Sequence, residues 1–302
     1  MSNNVLKSRY DVVYLFDCKD GNPNGDPDAA NAPRLDPQTM QGLVSDVCLK
    51  RKIRNYIYLA NAKSGEDGKL AAGNGFDLHV QHGTVLNNNI RIACKETKLS
   101  TREDEKQEKE KAKNRPREEI GKLQERLCRR FYDIRAFGAV LSTGPNAGQL
   151  RGPVQISFAR SIDPVLALDF SITRVCGTDE EKATEMGRKA MIPYGLYRCH
   201  GFISAHLARE TGFNEDDLQL FWQALQQMFD HDRSASHGTM AAQKLVVFKH
   251  ATALGNAPAH TLFERVTVTR KPAVEVARSF ADYDVKLNRD NLPPGIELQE
   301  LL

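Results

Sequence analysis

Residues Tyr10-Asp11-Val12-Val13-Tyr14-Leu15-Phe16, followed at once by Asp17-Cys18-Lys19-Asp20-Gly21, decide how the rest of the chain is read. The first seven are rich in β-branched and aromatic side chains, which suit a packed, pleated surface, and the polar run ending in glycine is a stop signal. A strand over 10–16 is expected. Residues 43–60 then show helical spacing: at 100° per residue, Leu49, Ile53, Tyr56, Ile57 and Ala60 share an arc of about 100°. Residues 154–159 read as a strand. Residues 214–229 read as a helix, with Asn214 as N-cap and three acids in the first turn, where the helix dipole favours negative charge. Residues 245–249 and 263–269 read as late strands and 274–283 as a short helix. Strand, helix, strands, helix, strand is the order of a ferredoxin-like or RRM-like α+β unit.

The chain has 302 residues, 40% of them apolar, and 42 Lys/Arg against 39 Asp/Glu. This suffices for one large core or two smaller ones, and the net charge of +3 excludes a polycationic tail protein. No apolar run reaches the roughly 18 residues of a membrane span and no charged-then-apolar leader is visible, so a soluble, cytoplasmic chain is expected. Six cysteines without a CxxC pair read as reduced thiols rather than zinc ligands. Residues 95–130 hold 13 basic and 9 acidic side chains, so the excess positive charge is local. With the Gly/Asn-rich stretch 64–75, this makes 61–130 read as an insertion. Within it, Ile120, Leu123, Leu127 and Phe131 mark a helix over about 118–132.

Three stretches carry candidate chemistry. Asp20, Asn22, Asn24 and Gly25 occupy positions 1, 3, 5 and 6 of an EF-hand calcium loop, but position 12 is Asn31 where a bidentate glutamate is needed, so a backbone-bonded turn fits better. On the helix that follows, Lys50, Arg51 and Arg54 gather on one arc, with Lys52 alone on the far flank. Neighbouring cations repel unless an anion lies among them, and a phosphate backbone would supply one; a solvated face is the alternative. Arg34 and Ser45 could add a cation and a hydroxyl donor. Between residues 170 and 197, Thr178-Asp179-Glu180-Glu181-Lys182 and Gly187-Arg188-Lys189 are punctuated by Met186, Met191, Ile192 and Tyr194. A protruding hairpin of this composition offers cations for phosphates and unbranched wedges for base steps, although an ordinary surface hairpin has the same composition. No Walker A, GxGxxG, HExxH or GxSxG motif is present.

The run from Arg9 through Gly21-Asn22-Pro23-Asn24-Gly25-Asp26-Pro27-Asp28, then Arg34-Leu35-Asp36-Pro37, then Asp46-Val47-Cys48-Leu49-Lys50-Arg51-Lys52-Ile53-Arg54, resembles the repeated backbone subunit of Cascade, the type I CRISPR surveillance complex, in its subtype C. This subunit belongs to the RAMP superfamily. The likeness continues through Arg151-Gly152-Pro153-Val154-Gln155, Tyr194-Gly195-Leu196-Tyr197, Phe248-Lys249-His250 and Gly255-Asn256-Ala257-Pro258-Ala259-His260. It implies a right-hand architecture of class α+β. An RRM-like (ferredoxin-like) palm covers 1–60 and 131–302, inserted fingers 61–130 and a thumb hairpin 163–193. Copies would stack head to tail on crRNA as an open, heterologous assembly, with the large subunit and the guide-processing subunit as further partners. The guide would pair with target DNA while the protein reads backbone and shape.

Carried over by position, the resemblance implies that Ser45, Lys50 and Arg54 touch guide phosphates, supported by Arg51 and Arg34. Lys182, Met186, Arg188, Lys189 and Met191 fall in the thumb, and Arg233, Ser234 and His237 in a polar loop that approaches RNA. Charge reversal at Lys50 and Arg54 is expected to abolish RNA-protected assembly and leave the monomer folded. No cofactor, metal, membrane partner or catalytic residue is implied. No RNP1 run exists, so bases are not expected to be read on aromatic strands. The rival from the same superfamily is a metal-dependent ribonuclease, since related type III backbone subunits cut target RNA with a loop aspartate. Its candidates here are Asp17, Asp20, Asp26, Asp28 and Asp36. A protein-only filament or a calcium-dependent module is the third reading.

Overall fold

The computed structural model describes residues 4–64, 70–71, 73, 75–99, 115–174 and 185–302. Lys182 and the charged run before it lie outside the described residues. In chain order, β1 (Tyr10–Gly21) leads through a long loop to β2 (Gln41–Val44) and α1 (Asp46–Asn61). Then come α2 (Leu86–Glu96), α3 (Arg117–Arg130), α4 (Tyr132–Phe137) and the hairpin of β3 (Gly138–Leu141) and β4 (Gly148–Arg151). Next are β5 (Val154–Ile156), β6 (Ala159–Pro164), β7 (Leu168–Arg174), β8 (Glu185–Ile203), α5 (Ala205–Thr211), α6 (Glu215–His231) and β9 (Thr239–His250). The last elements are α7 (Ala259–Phe263), β10 (Val266–Arg270), β11 (Tyr283–Leu287) and β12 (Ile296–Glu300).

The main sheet has the order β12-β9-β1-β8-β6-β2, with β5 and β7 also pairing with β8, and every pairing is antiparallel. Taken as β1-α1-β6-β8-α6-β9, its centre places the fourth, first, third and second strands side by side, which is the ferredoxin-like split βαβ order. Both faces of β1 are covered. Tyr14 and Phe16 pack on Leu49, Ile53 and Ile57 of α1 and on Phe221, Leu225 and Phe229 of α6. Val13 and Leu15 face the other way, against Leu262, Phe263, Val266, Ala277 and Tyr283. A strand buried on both faces cannot alternate polar with apolar, which is why 10–16 is almost continuously hydrophobic. Each such Phe or Leu contributes roughly 1.5–3 kcal/mol.

The face that an RRM leaves open is therefore closed by residues 257–298. Arg198 of β8 fastens this cover by donating to the carbonyls of Phe263 at 2.7 Å and Val266 at 2.8 Å. His200 stacks on Phe263 with ring centroids 4.1 Å apart, and burial, aided by Arg198, pulls its pKa down to about 4. A separate small core joins Ile90, Cys94, Leu123 and Leu127 to Ile134, Leu141 and Ala147, so the packing of α2 and α3 reaches beyond residue 130.

Several sequence expectations shift. Residues 41–44 form a strand, so the first helix begins at Asp46 behind the cap Ser45. The strand expected over 154–159 divides at Ser157, whose hydroxyl takes the His200 N–H at 3.0 Å. The strand expected from Phe263 begins at Val266, because Phe263 ends α7. The helix expected over 274–283 is absent: only Phe280–Asp282 make a 3₁₀ turn before β11. There the Asp282 carboxylate takes the N–H groups of Arg278 (2.7 Å) and Ser279 (2.9 Å), a local alternative to helical bonding. The cap at Asn214 is present as a reciprocal capping box with Asp217.

Candidate functional site

Four segments meet at the end of β1 where the chain leaves the sheet. Gly21 pairs with Ile192 at the root of the β7–β8 hairpin, and a Cβ on Gly21 would fall 2.1 Å from the carbonyl oxygen of His237, so only glycine lets the 232–238 loop approach. Asn22 N–H donates to the Ser236 carbonyl at 2.7 Å, and its side-chain amide to the Asn31 carbonyl at 2.7 Å. Asn24 Oδ1 receives both the backbone N–H and the hydroxyl of Ser45 at 2.9 Å, tying the loop to the start of α1. Lys52 then pairs with Asp232, and His237 Nδ1 lies 3.1 Å from both the carbonyl and the carboxylate of Asp232. The near-EF-hand loop thus spends the Asn22 amide nitrogen on a backbone bond and Asn24 Oδ1 on the cap, while the buried Asn22 Oδ1 has no hydrogen-bond partner among the described residues.

The expected contact residues divide sharply. Ser45 is buried and occupied as a cap. Lys50 pairs with Asp46 at 2.9 Å and lies 5.8 Å from the Phe137 ring centroid. Arg54 covers the same ring at 5.1 Å while its Nε donates to Asp133 at 2.9 Å. Asp133 is 1% exposed and also accepts from the N–H groups of His79, Val80 and Ile134, so Arg54 belongs to a structural network and reversing its charge is expected to destabilise the fold as well. Arg34 pairs with Asp26 at 3.3 Å, and Arg233 with Asp230 at 2.7 Å. Ser234 Oγ accepts the His237 N–H at 3.2 Å. Arg51 is exposed and has no ion pair among the described residues.

In the hairpin, residues opposite one another share a face. Lys189 and Met191 lie across from Phe170 and Leu168, whereas Met186 and Arg188 lie across from Thr173 and Ser171. The expected contacts are therefore split between two sides. Phe170 (45% exposed) and Ile172 (47%) were missed by the sequence reading; their i, i+2 spacing on an exposed strand was the available signal. Lys52, expected on the far flank of the helix, is buried because residue 232, distant in sequence, supplies its carboxylate.

The loop aspartates are dispersed. Asp17 is buried, accepts the Tyr194 hydroxyl at 3.0 Å, and has its pKa raised by burial. Asp26 serves Arg34, and Asp36 pairs with Arg160 at 2.7 Å. Asp20 and Asp28 are exposed. Among the described residues, no three His, Cys, Asp or Glu side chains gather as a metal site. Burial pushes the thiols of Cys18, Cys128 and Cys199 up to about 12, far from thiolate chemistry. No helix among the described residues is long and apolar enough to cross a membrane.

Comparison with known proteins concerns the chain as a whole. The family model described as CRISPR-associated protein Cas7 matches residues 8–288. A CRISPR-associated protein Cas7 from Haloferax volcanii is 26% identical over 245 residues, covering 72% of this chain and 64% of the relative, so the match spans less than two thirds of that relative's length. A solved chain from a "CRISPR RNA-guided surveillance complex, pre-nicking" aligns over 80% of this chain and 78% of its own, with TM-score 0.47 and 12% identity. A second, from a "CRISPR RNA-guided surveillance complex", aligns over 80% and 68%, with TM-score 0.42 and 13% identity.

Proposed function

Because this chain belongs to the Cas7 family of CRISPR-associated proteins, matched over residues 8–288, we propose that it is a non-catalytic, crRNA-binding backbone subunit of a type I-C surveillance complex. Copies polymerise head to tail along one guide and present it for pairing with a target DNA strand. The large subunit and the guide-processing subunit are further partners. The sheet with α1 and α6 serves as the palm (1–60 and 131–302), 61–130 as the fingers and 163–193 as the thumb.

The observation that carries this reading is the meeting, at one end of the sheet, of the 22–45 loop, the first turns of α1, the 232–238 loop and the root of the hairpin. Arg51, Arg188 and Lys189 stand on these segments without a carboxylate partner among the described residues, which suits a phosphate backbone. Closure of the opposite sheet face favours groove and hairpin contacts over base stacking on strands. Each copy neutralises only a few phosphates, and repetition along the guide supplies the remaining affinity.

The test is the size and the 260/280 nm absorbance ratio of the purified protein with guide-length RNA, before and after ribonuclease. Large, RNA-containing particles that collapse on digestion are expected; particles that survive digestion, or a protein that takes up no RNA, overturn the reading. Labelled complementary RNA incubated with the particles and Mg²⁺ should stay intact. Regularly spaced products lost on Asp20→Ala or Asp28→Ala would make the protein an enzyme instead.

A further inference from the structure

Where the hairpin leaves the sheet, a cleft of about 360 Å³ opens between the β6–β7 connection and the 270–283 segment. One wall is Val165, Leu166 and Leu168, the other Val276 and Ala277, and the floor is Tyr194 and Leu196 of β8. Leu166 is 64% exposed and Val276 57%, so apolar surface faces the opening from both sides. Two guanidinium groups also line it. Arg278 Nη1 reaches only the neighbouring Ala277 carbonyl, at 3.4 Å, and Arg270 makes a loose ion pair with Asp163 at 3.7 Å that leaves its other N–H groups open to the cleft. Asp163 is the single carboxylate in the lining, and its Oδ2 already takes the Tyr283 hydroxyl at 2.8 Å.

The cleft is continuous with one side of the hairpin. From Leu168, the same face of β7 carries Phe170 and Ile172, with Lys189 and Met191 opposite on β8 and Asp169 turned to the other side. The surface thus runs from an exposed aromatic ring and a lysine into an apolar slot with two arginines. Ligand sites of roughly 300–1,000 Å³ lined by apolar walls and a few aimed polar groups suit a small organic unit. Guanidinium pairs select phosphate, and an exposed ring beside a cationic groove is how single strands are held.

We propose that this cleft holds one nucleotide of a single strand, its base between Leu166 and Val276 and its phosphate against Arg270 and Arg278. The assignment rests on the RNA-binding reading above and adds a base slot to it. The strand is either the guide or the strand paired to it, and the two share this chemistry.

The full-length protein is assembled on guide-length RNA carrying 4-thiouridine, or on plain guide paired with a strand carrying the photoreactive base. It is irradiated, and the cross-linked peptides are identified by mass spectrometry. Cross-links to 163–168 and 270–278 are expected, and the labelled strand that yields them names the source. Arg270→Ser with Arg278→Ser should remove those cross-links and lower the slope of log affinity against log salt by about one for each arginine. Val276→Glu, an exposed change, should remove them independently. Unchanged cross-links and salt slope in these variants, with Arg51→Glu still weakening RNA binding, overturn the cleft while sparing the RNA reading. Failure of the unaltered protein to bind RNA at all overturns both. Loss of self-association in the cleft variants with RNA affinity intact assigns the cleft to protein contact instead.

Discussion

On α1, Lys50, Lys52 and Arg54 end on Asp46, Asp232 and Asp133, whereas Arg188 and Lys189 of the hairpin meet no carboxylate among the described residues. In the sequence the two groups look alike, short basic clusters beside apolar residues. The difference is burial. The side chains of Lys52, Lys50 and Arg54 are 3%, 13% and 13% exposed, and a cation taken so far out of water must carry its counter-ion with it. On the hairpin, Arg188 is exposed and Lys189 half-buried, and with no counter-ion among the described residues both stay available to a polyanion. Arg51 is the exception on α1, pointing away from both the core and its neighbours' partners.

Four substitutions would break or sharpen this contrast. The largest effect is expected from Arg54→Ala, which leaves Asp133 buried without its cation. Removing one partner of a buried pair costs about 3–5 kcal/mol, and the three N–H donors still on Asp133 place this case near the lower bound. A urea-denaturation midpoint unchanged from the parent would show that Arg54 is not structural.

A smaller effect concerns acid. Burial opposes ionisation of Asp232, but hydrogen bonds from His237 and Lys52 outweigh it and hold its pKa below the ordinary 3.8. Between the folded and unfolded values the unfolded chain binds more protons, so the stability this group contributes is present above about pH 4 and is lost below it. Asp232→Asn should flatten the loss of thermal stability below pH 4 relative to the parent. Equal acid limbs in a pH series of melting curves would contradict the pairing.

The smallest effect on stability, and a clear one on binding, is expected from Arg51→Ala and Arg188→Ala. Each should leave the unfolding free energy from urea titration within about 0.5 kcal/mol of the parent. Each should also reduce the salt slope of RNA affinity by about one. A stability loss without any change in slope would place these two arginines with Arg54.

Much of the fold was legible locally. The 10–16 strand, the helices near 43–60 and 214–229 and the Asn214 cap depend on neighbours within a few residues, and the structure has them all, although β1 runs on through the polar stretch 17–21 expected to stop it, because both neighbouring strands continue to pair with it there. The 274–283 helix failed because Val274, Ala277 and Phe280 pack on the second face of the sheet, and Asp282 captures the backbone donors that a helix would have used. The candidate site was legible in kind but not in detail. Cations around residue 50 were noticed, but their assignment to Asp133 or Asp232 depends on chain separations of 79 and 180 residues, which no local spacing encodes. The apolar side of the hairpin and the cleft at its root were invisible for the same reason, since each needs β7, β8 and the 270–283 segment together.

The sequence by itself determined the first strand, the helices near 43–60 and 214–229, the Asn214 cap and the residue types at the end of β1, because propensity, periodicity and turn chemistry act over one or two turns of chain. Only the tertiary structure decided which cations are spent inside the protein and which remain for a ligand. Ion pairing follows distance and burial in three dimensions, and identical side chains on one helix can differ in both.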